Sequence, residues 1–260
     1  MRLMLSRFTP PGVHRLALLL LLCVAPLQSR ADTLQVLTTG AFKQVVQALA
    51  PDFERRTGHT VQIRNDTAGA LVKRIEQGES FDVVVLTPGA LQNLAQRGTV
   101  GANSIVPLAQ VGIGVAVAQG QAQPALRTVD DFVHALRQAT KVAYIDPKSG
   151  GSSGIYLEGL FRQLQIADMV QAKAVLVNGG LVAEKLVSGE ADLAIHQISE
   201  ILPVRGAQLV GPLPESIQNY TRYAGAVSSQ TPRAELARAF LQSFTTPEAA
   251  KTIADKGMQH

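Results

Sequence analysis

The segment YIDPKSGGSSGIYLEGLF, Tyr144–Phe161, passes through three chemical regimes. An apolar stretch ends at Asp146 and Pro147 breaks it. A run of small residues follows from Ser149 to Gly154, and then apolar side chains recur at helical spacing. Proline removes a backbone donor, so the strand stops there, and the small residues let another group approach the backbone. Strand, small-residue turn and helix together form the repeating unit of an α/β sheet.

Read outward from this point, the unit recurs. Leu34–Thr39 reads as a strand, followed by a helix with Phe42, Val45, Val46, Leu49 and Phe53 on one face. Thr60–Asn65 is a second strand, and Leu71, Val72 and Ile75 mark the next helix. DVVVLT, Asp82–Thr87, is a continuous apolar run that suits a parallel strand buried on both faces. Pro88 and Gly89 open another helix, which ends near Gly98. Val111–Gln119 reads as one long strand. After it come helix 128–139, strand 141–146, helix 155–164, strand 173–178, helix 181–187 and strand 193–197. Residues 208–228 are extended, and Leu236, Phe240, Leu241 and Phe244 mark a final helical region.

The expectation is an α/β protein of two parallel-sheet lobes joined by two crossing strands. Residues 32–112 and 222–260 form lobe I and residues 113–221 form lobe II, with the last helices returning to lobe I.

The N-terminus reads as an export leader. Arg2 and Arg7 precede an apolar run from Leu16 to Ala25, and Ser29 and Ala31 sit at a small-residue cleavage site. The run is shorter than the roughly 20 residues of a spanning helix, so cleavage after Ala31 and release into the periplasm are expected. Cys23 follows Leu22 rather than a small residue, which argues against a lipid anchor. Four of the 24 basic residues lie in the leader, leaving 20 basic against 20 acidic residues in the mature chain. The formal charge of +4 therefore belongs to the precursor and gives no reason to expect nucleic-acid binding. The mature chain has no cysteine, which excludes disulfides, thiolate nucleophiles and cysteine metal sites.

In open α/β sheets, ligands sit beyond the carboxyl ends of the strands, against helix N-termini. Four junctions here are built from small or hydroxyl residues: TTGAF (Thr38–Phe42), NDTAGA (Asn65–Ala70), DPKSGGSSG (Asp146–Gly154) and NGGL (Asn178–Leu181). Together they suit a small anion. No G-x-x-x-x-G-K-[ST] and no G-x-G-x-x-G is present, so nucleotide motifs are absent. Gly150, Ser152 and Gly154 do match the G-x-S-x-G of a serine hydrolase, a minor alternative. Three residues intervene between Asp146 and Gly150, however, where a nucleophile elbow turns directly off its strand.

GEADLAIHQISEILP (Gly189–Pro203), DPKSGGSSGIYLEGLF (Asp146–Phe161), FERRTGHTVQI (Phe53–Ile63) and IEQGESFDVVVL (Ile75–Leu86) carry a family resemblance. Together they resemble the periplasmic molybdate-binding group of type II solute-binding proteins that serve ABC importers. The resemblance spans about Leu34 to Gly257. It implies a monomer hinged between two lobes that closes over an oxyanion, without cofactor or side-chain-bound metal, with an importer complex as partner. Carried over by position, it points to Thr39, Gly40, Ala41, Thr67 and Ala68 at the first two junctions. It also points to Ser152, Ser153, Gly154 and Tyr156 at the third, to Gly180 at the fourth, and to Gln197 after the next strand.

The group uses serine hydroxyls where Ala41 and Ala68 stand, and a tyrosine where Gln197 stands. A dehydrated dianion needs its donors replaced one for one, so molybdate is a poor fit. Arg64, Lys148 and Arg222 are cations that could reach the cleft, and arginine suits carboxylate recognition. The expected ligand is a small di- or tricarboxylate. Proteins resembling this group include aconitate isomerases, which move a proton on such a ligand without a cofactor. His196, Tyr156, Lys148 and Glu200 are the acid–base candidates for that chemistry. The expected function is solute binding, with isomerisation on the same fold as the alternative.

Overall fold

A computed structural model describes residues 31–260; the expected leader segment and Cys23 lie outside the described residues. The chain begins with β1 (Thr33–Thr39), α1 (Gly40–Thr57), β2 (Thr60–Asp66), α2 (Ala68–Glu76), β3 (Val83–Leu86), α3 (Pro88–Gln96) and β4 (Val106–Val111). It continues with β5 (Ile113–Ala118), α4 (Val129–Gln138), β6 (Val142–Ile145), α5 (Ser152–Gln163), α6 (Ala167–Gln171) and β7 (Ala174–Val177). Next come α7 (Glu184–Val187), β8 (Leu193–Gln197), α8 (Ile198–Ile201) and β9 (Ala207–Pro212). It closes with β10 (Thr221–Val227), α9 (Ala234–Gln242) and α10 (Pro247–Asp255).

Two five-stranded sheets result, ordered β2-β1-β3-β10-β4 and β7-β6-β8-β5-β9. Both repeat one pattern: three parallel strands, then one that brings the chain in from the other sheet (β10, β5) and one from which the chain leaves (β4, β9). The lobes are therefore mixed rather than purely parallel. β10 runs antiparallel between β3 and β4, and β5 runs antiparallel between β8 and β9. A strand that enters directly from the other lobe has no crossover helix to return it to the starting end.

The single strand expected at 111–119 is two strands. Val111 pairs with Thr221 in the first sheet, whereas Ile113 pairs with Gln197 in the second, so Gly112 is where the chain changes sheets. The second crossing is tied to the first by Gln218. Its Oε1 accepts from Ile113 N at 2.8 Å and its Nε2 donates to Ile113 O at 2.9 Å.

The apolar runs explain the layers. On β3, Val83 and Val85 face Phe42, Val45, Phe53, Phe240 and Phe244, while Val84 and Leu86 face Leu71 and Leu91 on the other side. Successive strand side chains point to opposite faces, so only a continuous apolar run satisfies a sheet covered on both. β6 behaves alike: Val142 and Tyr144 pack into one core, Ala143 and Ile145 into the other. The C-terminal helices return Phe240, Phe244 and Ile253 to the core of the first sheet.

Candidate functional site

The carboxyl ends of β1, β2, β6 and β8 meet around one narrow cavity of about 40 Å³. That is far below the roughly 300–1,000 Å³ typical of small-ligand sites, so the rims stand close together here. Thr39, Gly40 and Ala41 bring the start of α1 to it, and Asn65 to Ala68 bring the start of α2. Gly151, Ser152 and Ser153 bring the start of α5: Ser152–Gly154 form its first turn, while Ser149–Gly151 form the turn that leads into it. Gly180, His196, Gln197, Glu200 and Tyr223 complete the wall, with Ile145 beneath them.

α1 and α5 begin without a side-chain cap, and α2 is capped by Thr67, whose hydroxyl accepts from Ala70 N at 3.2 Å. The uncapped first-turn amides of α1 and α5, together with the helix dipoles, favour negative charge. Lys and Arg are absent from the cavity's lining residues. Anion binding here rests on backbone donors, hydroxyls and amides.

Several expected contacts are placed elsewhere. Arg64 pairs with Glu79 at 2.6 Å and donates to Ser80 O at 3.2 Å, so its charge is taken up on the far side of β2. Glu79 in turn binds Arg74, which reaches Asp66 at the cavity edge at 3.2 Å. Lys148 is exposed on the turn before α5 and Arg222 is exposed beside Gln110; neither lines the cavity. Tyr156 donates its hydroxyl to Ile217 O at 2.7 Å and packs its ring on the core of the second sheet, which commits it away from a ligand. Gly154 lies against Ile145 O, where a side chain would overlap the end of β6. The expected residues that do meet at the cavity are Thr39, Gly40, Ala41, Thr67, Ala68, Ser152, Ser153, Gly180, His196, Gln197 and Glu200.

The chemistry concentrates on β8 and α8. His196 Nε2 stands 3.2 Å from Glu200 Oε2, with both side chains more than nine-tenths buried. Burial holds the His196 imidazole down to about 3 and pushes the Glu200 carboxyl up to about 8, against a weaker opposing pull from Lys43. Both shifts share a physical cause, since each charged form would lose its hydration. At neutral pH the pair is an uncharged imidazole beside a carboxylic acid. His196 Nδ1 has no hydrogen-bond partner among the described residues, so no serine is coupled to either ring nitrogen. Among the described residues, His196 therefore makes no serine–histidine pair of the serine-hydrolase kind.

Tyr223 was not singled out from the sequence. It reaches the cavity from β10 in the first sheet and donates to Gln197 Oε1, at the end of β8 in the second, at 2.9 Å. Burial, and then the nearby Glu200, push its phenol well up, so it stays a donor. Its position in a strand of mixed apolar and polar residues gave no signal that separates it from a core tyrosine.

Comparison with known proteins agrees with this architecture. The family model described as bacterial extracellular solute-binding protein matches residues 34–259. The aconitate isomerase of a Pseudomonas species is 36% identical over 258 residues, covering 96% of this chain and 97% of that protein. Among solved structures, the periplasmic molybdate-binding protein of Azotobacter vinelandii superposes with a TM-score of 0.74 at 21% identity, over 87% of this chain and 99% of that one. The sulfate-binding protein of Mycobacterium tuberculosis superposes with a TM-score of 0.69 at 16% identity, over 87% and 86%. At such identities the structural likeness speaks for the fold, the two-lobed type II periplasmic-binding-protein fold. With the family model spanning nearly every described residue, the chain belongs to the bacterial extracellular solute-binding protein family.

Proposed function

We propose that the protein is a cofactor-free isomerase that interconverts cis- and trans-aconitate in this cavity, outside the cytoplasm after loss of its leader. The observation that carries the reading is the buried His196–Glu200 pair, two titratable groups 3.2 Å apart at the cavity wall. The full-length likeness to an aconitate isomerase supports it.

The reaction needs one proton taken from the methylene carbon and one returned to the far carbon of the allylic unit as the double bond shifts. No electron leaves or enters. With Glu200 ionised, Nε2–H of His196 donates to it and the Nδ1 lone pair faces the substrate. As Nδ1 takes the methylene proton, the Nε2 proton passes to Glu200, and the reverse movement delivers a proton to the other carbon. Imidazolium never forms, so the low basicity of buried His196 is no obstacle. The base strength felt by the substrate is that of Glu200. Charge that develops on the substrate carboxylates is met by the first-turn amides of α1 and α5.

A second reading, a binding protein that delivers a small anion to an importer, is favoured by those same uncapped helix starts and by the family. Ala41 and Ala68 bear no hydroxyl, and the Thr67 hydroxyl already donates to Ser149 O, so a small carboxylate is preferred to molybdate under either reading. Proton NMR of the protein incubated with trans-aconitate separates the two. Appearance of the cis isomer above background, slowed at least roughly 100-fold by His196→Asn with binding retained, is the expected result. No cis isomer would leave the binding reading.

A further inference from the structure

We infer that Tyr223 is a positioning residue: its hydroxyl, donating to Gln197 Oε1, turns the Gln197 amide so that both N–H groups serve as neutral donors to a ligand carboxylate. This deepens the preceding reading and rests on its assignment of a carboxylate ligand.

Tyr223 and Gln197 are each only 3% exposed, and both line the cavity. An amide has an oxygen that accepts and a nitrogen that donates twice. With Oε1 engaged by the phenol at 2.9 Å, the nitrogen is directed elsewhere, and Gln197 Nε2 is buried with no partner among the described residues. A buried donor left unpaired costs free energy, which a ligand oxygen would recover. Thr39 Oγ1 and His196 Nδ1 are buried and unpartnered in the same cavity, so the unmet polar groups cluster at one place.

The phenol keeps its proton for this role because its surroundings disfavour the ionised form. The hydroxyls of Thr39 and Ser152 adjoin it, and Glu200 lies close enough to disfavour its ionisation. Its ring is fixed in the first-sheet core beside Phe42, with ring centroids 6.2 Å apart. One sheet thus sets the orientation of a donor that belongs to the other. With Lys and Arg absent from the lining, such oriented neutral donors are what the side chains offer to carboxylate oxygens.

The test is calorimetric binding of trans-aconitate together with isomerisation kinetics for wild type, Tyr223→Phe, Gln197→Ala, the double variant and Gln197→Glu. Tyr223→Phe keeps the ring and is expected to weaken binding and raise KM roughly 10-fold, with kcat within about threefold, as for a contact made equally in ground and transition states. The double variant is expected to bind no more weakly than Gln197→Ala alone. Gln197→Glu keeps the phenol's acceptor but replaces both donors with oxygen, and it is expected to weaken binding more than Tyr223→Phe does.

Unchanged binding in Tyr223→Phe, or losses that add in the double variant, would overturn the inference. Should Tyr223→Phe fail to fold, unchanged binding in Gln197→Glu overturns it instead. Wild type that binds aconitate without converting it removes the isomerase reading and leaves the binding arms of this test intact. Wild type that neither binds nor converts aconitate removes both.

Discussion

The amide of Gly69, at the start of α2, donates to the carbonyl of Gly150, before α5, at 3.1 Å, so the rims of the two lobes touch across the cavity. Thr67 Oγ1 donates to Ser149 O beside it. The two glycines are close enough that a Cβ on Gly69 would stand 2.9 Å from Gly150 Cα. Gly69→Ala is therefore expected to oppose this rim contact and spare the lobes, since the atoms nearest a methyl there belong to the opposite rim. Overpacking typically costs about 1–3 kcal/mol, which converts to a ligand affinity roughly 5- to 150-fold weaker. Most of that change should appear as faster release. Stopped-flow displacement of bound aconitate measures it; an unchanged release rate would mean the rim contact does not hold the ligand.

The His196–Glu200 pair makes stability depend on pH in two opposed ways. His196 is depressed from 6.5 to about 3, so the unfolded state binds the extra proton between those values. Its contribution is present above 6.5 and is lost as pH falls toward 3. Glu200 is raised from 4.5 to about 8, so the native state binds the extra proton. Its contribution is present below 4.5 and is lost as pH rises through 8. Between 4.5 and 6.5 the two offset one another. Glu200→Gln is expected to remove the decline toward pH 8, and His196→Asn the decline toward pH 3. Urea denaturation of each variant across pH checks this, and a decline toward pH 8 that survives Glu200→Gln would refute the assignment.

The same carboxyl sets the expected rate profile. If Nδ1 acts with the basicity of Glu200, kcat/KM for aconitate rises with pH as Glu200 ionises in the free protein, with a midpoint near 8. Had the imidazole acted alone, the midpoint would lie near 3, far below the range of His196 in solution. Glu200→Gln is expected to lower kcat at least roughly 100-fold and to flatten the profile. A profile whose midpoint stays near 8 in that variant would assign the titration to another group.

Much of this was legible in the residues, and the part that was not has physical reasons. Val83–Leu86 announced a strand buried on both faces because a short, β-branched apolar run between turn residues suits a sheet covered on both sides. The small-residue junctions announced the cavity because backbone donors need neighbours without bulk. The partner of a charge was not legible. Arg64 looked available until the fold brought Glu79 to it from beyond α2, and charge pairing across such loops leaves no periodic trace. Tyr156 and Tyr223 exchanged roles for a similar reason. Tyr156 sits in the family motif but bonds Ile217 O, while Tyr223 sits in an ordinary strand whose register happens to bring it to Gln197. α8 is four residues long, too short for a helical period to show, yet it carries Glu200.

Gly40 offers a last test, because its lack of a side chain has two competing explanations. It lines the cavity, so a ligand could need the space, but a Cβ there would also overlap Glu200 Oε1. Gly40 opens α1, and its backbone is not in the left-handed region, so alanine is conformationally acceptable. On helix propensity alone, alanine would be favoured by about 1 kcal/mol. In wild type the added methyl is expected to push the Glu200 carboxyl away from His196, because a side-chain end yields more readily than a helix start. Gly40→Ala should then fold, lose isomerase activity and lose the stability decline toward pH 8 along with the pair. In a Glu200→Ala background the obstacle is gone, so Gly40→Ala should cost no further activity and should leave stability unchanged or raised. Thermal melts and aconitate turnover of the two single variants and the double variant form the cycle. Activity losses that add independently would mean that Gly40 is small for the ligand's sake, and that the approach of Glu200 to α1 does not govern the pair.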